Sequence, residues 1–178
     1  MILHRIIQMQ ERSFFMIWNY IKKNAKIFAV SISLPILVGL FSAFLTKGNM
    51  NIYGEIVKPP LAPPALIFPI VWTLLYALMG ISSAIIYADG NRLPEVKRRA
   101  LSTYLISLLV NFSWSIIFFN VKEFFIALIT LVFLLYLIIK TIIEYRRISP
   151  LAAYLQIPYA LWVAFAGYLN FAIVLLNK

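Results

Sequence analysis

The sequence predicts an all-α integral membrane bundle of five transmembrane helices, and three observations carry this. The 178-residue chain is 63% hydrophobic and only 12% charged, where a soluble domain carries about a quarter charged residues. It holds five apolar runs near the roughly twenty residues that a bilayer's hydrocarbon core demands of a helix. Nearly all Lys, Arg, Asp and Glu fall between those runs, as expected of loops between spans. Barrel strands do not suit, because the runs are too long and too uniformly apolar to alternate.

The first span runs from Ile27 to Thr46. It is too long for a cleaved signal and lacks a clear small-x-small site, so an uncleaved span is expected. Residues 1–26 then form a tail, with Met9 and Met16 as alternative initiators, and 27–178 form a single membrane domain. The second span covers Leu66 to Ala88, the third Ala100 to Asn120, the fourth Phe124 to Thr141 and the fifth Ala153 to Leu176. Gly39 with Ala43, and Gly80 with Ala84, suit close helix approach either in a homodimer or inside the bundle. Pro35 and Pro158 are candidate flexing points within their helices.

Basic residues set the expected orientation. Arg5, Arg12, Lys22, Lys23, Lys26, Arg92, Lys97, Arg98, Arg99, Lys140, Arg146 and Arg147 share one side, and Lys47, Lys58, Lys122 and Lys178 the other. Twelve against four puts the N-terminus in the cytoplasm and the C-terminus outside a cell membrane. The net charge of +10 is then a topology signal with some attraction to anionic lipid. Nucleic-acid binding is not expected, because the charge is split among short loops.

The chemistry open to the chain is narrow. It has no cysteine, and its one histidine, His4, lies in the tail, so disulfides, thiolate chemistry and a histidine metal cluster are excluded. The carboxylates Glu11, Glu55, Asp89, Glu95, Glu123 and Glu144 sit in the tail, the loops or the span ends. With no charge inside a span, proton relays, ion pumps and intramembrane proteases fall away. No cofactor is expected.

Amides, hydroxyls and aromatics remain. Ser107, Asn111 and Ser115 recur every four residues in the third span, near Trp114 and Phe118. The second span aligns Trp72, Tyr76, Met79 and Ser83, and the fifth aligns Trp162, Ala166 and Asn170 beside Tyr159. Taken alone, Asn170 and the serines read as helix–helix glue. At 1.5 Å per residue, Trp72 and Trp114 lie roughly 9 Å below the outer helix ends, Asn111 and Ala166 roughly 14 Å, and Trp162 roughly 20 Å. Three helices thus aim aromatic faces and one amide into the outer half of the bundle, a lining that suits a flat apolar ligand.

The stretch KPPLAPPALIFPIVW, Lys58 to Trp72, places four prolines within six residues just before the second span. Proline lacks an amide proton and disfavours helix in the residue before it. Lys58 to Pro64 is therefore expected to be extended and stiff, with Pro69 in the first turn of the following helix. The loop from Lys47 to Ala65 reads as a lid with little structure of its own, or as a rigid hairpin linker. Prolines would reduce the entropy lost on closing.

These residues carry a resemblance. Tyr53, Lys58-Pro59, Pro63-Pro64, Phe68, Val71-Trp72, Leu75-Tyr76 and Met79-Gly80 resemble the signature of the TspO/MBR family, the tryptophan-rich sensory and translocator proteins. Leu109-Val110-Asn111, Trp114 and Phe118-Phe119 resemble its third helix. Ser149 to Ala153, Pro158-Tyr159, Trp162, Phe165-Ala166 and Leu169-Asn170 resemble its fifth. Leu61, Leu66 and Ile52 stand where the family usually has tryptophan, and Ser107 where it has glutamine. The resemblance implies a membrane receptor or sensor for porphyrins, sterol-like lipids and benzodiazepine-type ligands. Its pocket would draw on Tyr53, Pro63, Trp72, Tyr76, Asn111, Trp114, Tyr159, Trp162 and Ala166. A light-dependent porphyrin breakdown is also implied, with Trp72 and Trp162 as the catalytic pair. Transport of porphyrin-like molecules and such photochemistry both stay open as alternatives, and there is no ordinary hydrolytic constellation.

Overall fold

The computed structural model describes residues 18–177; His4, Arg5, Arg12 and the rest of the tail up to residue 17, together with Lys178, lie outside them. Five long helices run through it: α1 (Ala25–Thr46), α3 (Ile67–Ala88), α4 (Pro94–Ser115), α5 (Phe124–Arg146) and α6 (Pro150–Leu176), with a single-turn α2 (Ile52–Glu55) in the loop after α1. Each long helix is apolar and long enough to span a bilayer. No strand occurs among the described residues. The chain is therefore a multi-pass membrane protein in contact with lipid. Its outward surface is correspondingly apolar, with Leu37, Phe125, Val132 and Leu161 all exposed.

Three helices start or end beyond their apolar cores. α4 begins at Pro94, six residues before the apolar run, with proline at its first turn, where its missing N–H costs nothing. α6 begins at Pro150 behind Ser149, whose hydroxyl accepts from the Ala152 amide at 3.4 Å, the usual serine cap. α5 continues past Thr141 to Arg146, and its Glu144 meets exposed Arg99 at 3.5 Å. α1 and α6 both continue through their internal prolines, Pro35 and Pro158.

The helices close into a ring in the order α1, α3, α6, α5, α4. Short connections make α4, α5 and α6 antiparallel neighbours, and α5 against α6 is the most extensive contact. Met79, Leu131, Leu134 and Ile138 fill the core. A buried polar tie crosses it: Ser82 donates to the Ala152 carbonyl at 2.7 Å and accepts from Gln156 Nε2 at 3.2 Å.

The small residues act inside the bundle. A Cβ on Gly80 would run into the Ile32 backbone and come 2.8 Å from the Ser31 carbonyl, so α1 and α3 touch backbone to backbone there. A Cβ on Gly39 would fall on the Tyr76 ring. Ala84 is fully buried. Close approach at small residues is the common packing device between membrane helices.

Candidate ligand-binding cavity

Between α1, α3, α4 and α6, in the half of the bundle nearest the loop 47–66, lies a cavity of about 360 Å³. Small-molecule sites usually occupy about 300–1,000 Å³. Of the residues named from sequence, Tyr53, Trp72, Tyr76, Trp114 and Ala166 line it. The other four stand one side chain back. Pro63 accepts a hydrogen bond from the Tyr53 hydroxyl at 2.8 Å. Asn111 donates from Nδ2 to the Tyr76 hydroxyl at 3.1 Å. Tyr159 is buried with its ring edge-on to Trp72, 6.1 Å between centroids. Trp162 packs on Phe68 at 5.9 Å and on Phe165 at 5.7 Å. Trp72 and Trp162 thus contact different rings, with Trp72 stacked on Tyr76 at 5.4 Å.

The stripe Ser107, Asn111, Ser115 does not reach the cavity as a unit. A spacing of four drifts about 40° per step on a 3.6-residue helix, and only Ser115 lines the wall. Ser107 turns back to the Tyr104 carbonyl at 2.7 Å. Just past Ser115 the chain widens into a π-helical turn over Ile116–Val121, ended by Lys122 at φ 62°. The wide turn sets the adjacent Phe118 and Phe119 both on the wall. Such turns recur at functional sites.

Sequence reasoning missed the α1 wall, where Gly39, Ser42, Ala43 and Thr46 face the cavity. The signal was a run of small and hydroxyl residues on one face, read only as packing. Asn170 also touches the cavity, yet its amide is committed as glue: Oδ1 accepts from Trp114 Nε1 at 3.4 Å and Nδ2 donates to the Phe124 carbonyl at 2.9 Å.

Among the described residues no charged side chain lines the cavity, and no group of His, Cys, Asp and Glu is placed to hold a metal. The wall offers apolar area and aromatic faces. Because the Tyr76 oxygen already accepts from Asn111, its own proton is free to point at an occupant. The wall thus combines aromatic faces with a few hydroxyls, among them those of Tyr76, Ser42 and Ser115.

The loop 47–66 covers the cavity, with Met50, Tyr53 and Ala65 on its underside. Lys58 to Pro64 is not extended throughout. Ala62 N–H bonds the Pro59 carbonyl at 3.2 Å, and Leu61 sits at φ 67°. This is a tight turn with proline at its second position and a left-handed residue at its third, the type II pattern. The cover is tied down on two sides. Val57 and Asn177 exchange bonds of 2.9 and 3.1 Å, and Tyr168 donates to the Pro60 carbonyl at 3.1 Å. Asn120 Oδ1 accepts from Asn49 at 2.9 Å, while its Nδ2 donates to the Leu45 carbonyl at 3.1 Å. Burial holds the Tyr53 phenol above its ordinary pKa, so it stays protonated as the donor to Pro63.

The TspO/MBR family model matches residues 31–176. The chain is 37% identical over 150 residues to the tryptophan-rich protein TspO of Chlorobaculum tepidum, covering 84% of this chain and 94% of that one. It is 31% identical over 153 residues to the protein CrtK of Rhodobacter capsulatus, covering 85% and 92%. It is 31% identical over 146 residues to the human translocator protein, covering 82% and 85%. With the five-helix ring, the tryptophan-lined cavity and the proline-rich cover, these matches place the chain in the TspO/MBR family.

Proposed function

We propose that this protein is a membrane receptor or sensor that binds porphyrins and related flat hydrophobic molecules in the α1–α3–α4–α6 cavity beneath the loop 47–66. The observation that carries it is the wall itself: Trp72, Trp114, Tyr76, Phe118 and Phe119 around a space of about 360 Å³ with no charged group among the described lining residues. Ring stacking on a macrocycle contributes roughly 0.5–1.5 kcal/mol per partner beyond area burial. Pro63, Asn111, Tyr159 and Trp162 support the wall from behind.

Protoporphyrin IX added to single-tryptophan variants tests this. Variants retaining only Trp72 or Trp114 should be quenched strongly, and a Trp18-only variant weakly, since Trp18 lies beyond the far end of α1. Equal quenching at Trp18 and Trp72 would move the ligand to the lipid-facing surface. The same material separates the other readings. Flux into sealed vesicles would make it a transporter, as the name of its translocator relatives suggests. Ligand breakdown turning over with light and oxygen, slowed by Trp72→Phe, would make it an enzyme acting through Trp72 and Trp162.

The tail 1–26 belongs in the cytoplasm and the cover outside a cell membrane. The ten basic residues Lys22, Lys23, Lys26, Arg92, Lys97, Arg98, Arg99, Lys140, Arg146 and Arg147 at one end, against Lys47, Lys58 and Lys122 at the other, support it. Cysteines introduced singly at Asn49 and Asn91 should react with an impermeant reagent in intact cells only at Asn49; labelling at Asn91 reverses the orientation.

The cover contributes through stiffness. Replacing Pro59, Pro60, Pro63 and Pro64 by glycine returns about 0.4–1 kcal/mol of backbone entropy per site to the open form. Ligand affinity should fall accordingly in a protein that still folds; an unchanged titration would reduce the segment to a linker.

A further inference from the structure

The cavity wall is unevenly enclosed. Trp114 and Phe118 on the α4 side and Ala166, Leu169 and Ile173 on α6 are all buried. On the opposite side the lining residues Leu40 and Ala43 of α1 and Pro69 and Thr73 of α3 are exposed, Leu40 by 62%. Each pair comes from the outer part of its helix: Leu40 lies six residues before the end of α1 and Thr73 six residues after the start of α3. At 1.5 Å per residue, that is roughly 9 Å below the loop end, within the depth of the acyl chains.

The seam between α1 and α3 is shut only below this level. Gly80 meets the α1 backbone, and Gly39 meets the Tyr76 ring. Asn111 holds that ring by its hydroxyl, so Tyr76 forms the sill on which the exposed gap ends. Above the sill the exposed lining includes the small Ala43 of α1 and Thr73 of α3, and Thr73 spends its hydroxyl on the Pro69 carbonyl at 2.7 Å. It therefore offers a methyl group to a passing ligand. By contrast the route through the cover crosses the Val57–Asn177 pair and the Tyr168–Pro60 bond.

We propose that the upper α1–α3 seam, bounded by Leu40, Ala43, Pro69 and Thr73 and floored by Tyr76, is a lateral portal through which ligand passes between the cavity and the bilayer while the cover stays closed. This rests on the cavity being the ligand site. It assigns the ligand to molecules that partition into the membrane, delivered sideways from lipid rather than from the aqueous face.

Because the chain has no cysteine, paired cysteines can be bridged selectively. Protein in phosphatidylcholine vesicles is loaded with protoporphyrin IX. Ala43→Cys/Thr73→Cys is then bridged with a short reducible bifunctional thiol reagent, and ligand loss to excess empty vesicles is followed by recovery of tryptophan fluorescence. Bridging should slow dissociation about tenfold, and reduction should restore it. A bridge across Val57→Cys/Asn177→Cys should leave the rate unchanged. Leu40→Cys/Thr73→Cys serves as a second portal pair should the first not fold. A damaged pocket would not retain preloaded ligand longer, so slowing reports a blocked passage. Unchanged dissociation behind a bridged α1–α3 seam overturns the portal, as does slowing by the Val57–Asn177 bridge alone. Absence of quenching in the unbridged parent instead overturns the cavity as the ligand site, and the portal with it.

Discussion

Replacing Ala166 by phenylalanine is expected to abolish ligand binding while leaving the bundle folded. Ala166 is 7% exposed and faces the cavity from α6, across from the α1 wall. A ring at that position projects into existing space instead of into packed neighbours. It therefore avoids most of the about 1–3 kcal/mol that overpacking a filled core costs. The ring takes the volume a macrocycle needs, and affinity should fall at least about a hundredfold, close to 2.8 kcal/mol at 1.4 kcal/mol per decade. A porphyrin titration and a thermal melt of the same detergent-solubilised variant separate the two effects. Normal binding by the Ala166→Phe protein would sink the cavity as the ligand site.

The second large effect sets two glycines against each other. In a helix interior, Gly→Ala gains about 0.8–1.0 kcal/mol from propensity alone. At Gly80 the new methyl meets the Ile32 backbone, which cannot yield without moving α1. Packing should win, with a net loss of about 1–3 kcal/mol. At Gly39 the obstacle is the Tyr76 ring, a side chain that can swing. Gly39→Ala should therefore cost less stability than Gly80→Ala, chiefly the bond from Asn111 to the displaced hydroxyl, but drive that ring into the cavity and weaken binding. Melting curves and titrations of the two variants check the reversal. A more stable Gly80→Ala protein would show that α1 and α3 do not pack as closely as the Ile32 contact requires.

Trp72, Tyr76, Trp114 and Ala166 were legible as inward-facing residues, and all four line the cavity, because an aromatic or small residue at helical spacing in a long apolar run marks an inward face. Trp162 shares that spacing, yet its ring lies against Phe68 and Phe165. Depth along a helix says nothing about which ring stands in front. Asn111 was expected to bond the ligand itself; in the structure its Nδ2 donates to the Tyr76 hydroxyl. The π turn over Ile116–Val121 is a matter of backbone hydrogen-bond register, which no residue type there announces. Its consequence, two consecutive phenylalanines on one wall, could not be seen in advance.

The sequence by itself determined that this protein spans a membrane five times as helices, and where those spans lie. Those features depend on segment length, on apolarity and on charge exclusion, which are local and additive along the chain. It also placed Trp72, Tyr76 and Trp114 on inward faces of spans that carry no charge in their interiors. The tertiary structure alone decided that α1 forms a cavity wall and that the gap in that wall faces α3. Small and hydroxyl residues mark one face of α1, but they do not say whether that face turns to a cavity or to packed neighbours; the Gly80–Ile32 and Gly39–Tyr76 contacts set its rotation. Close packing between helices is a joint property of two surfaces, and neither sequence segment holds it alone.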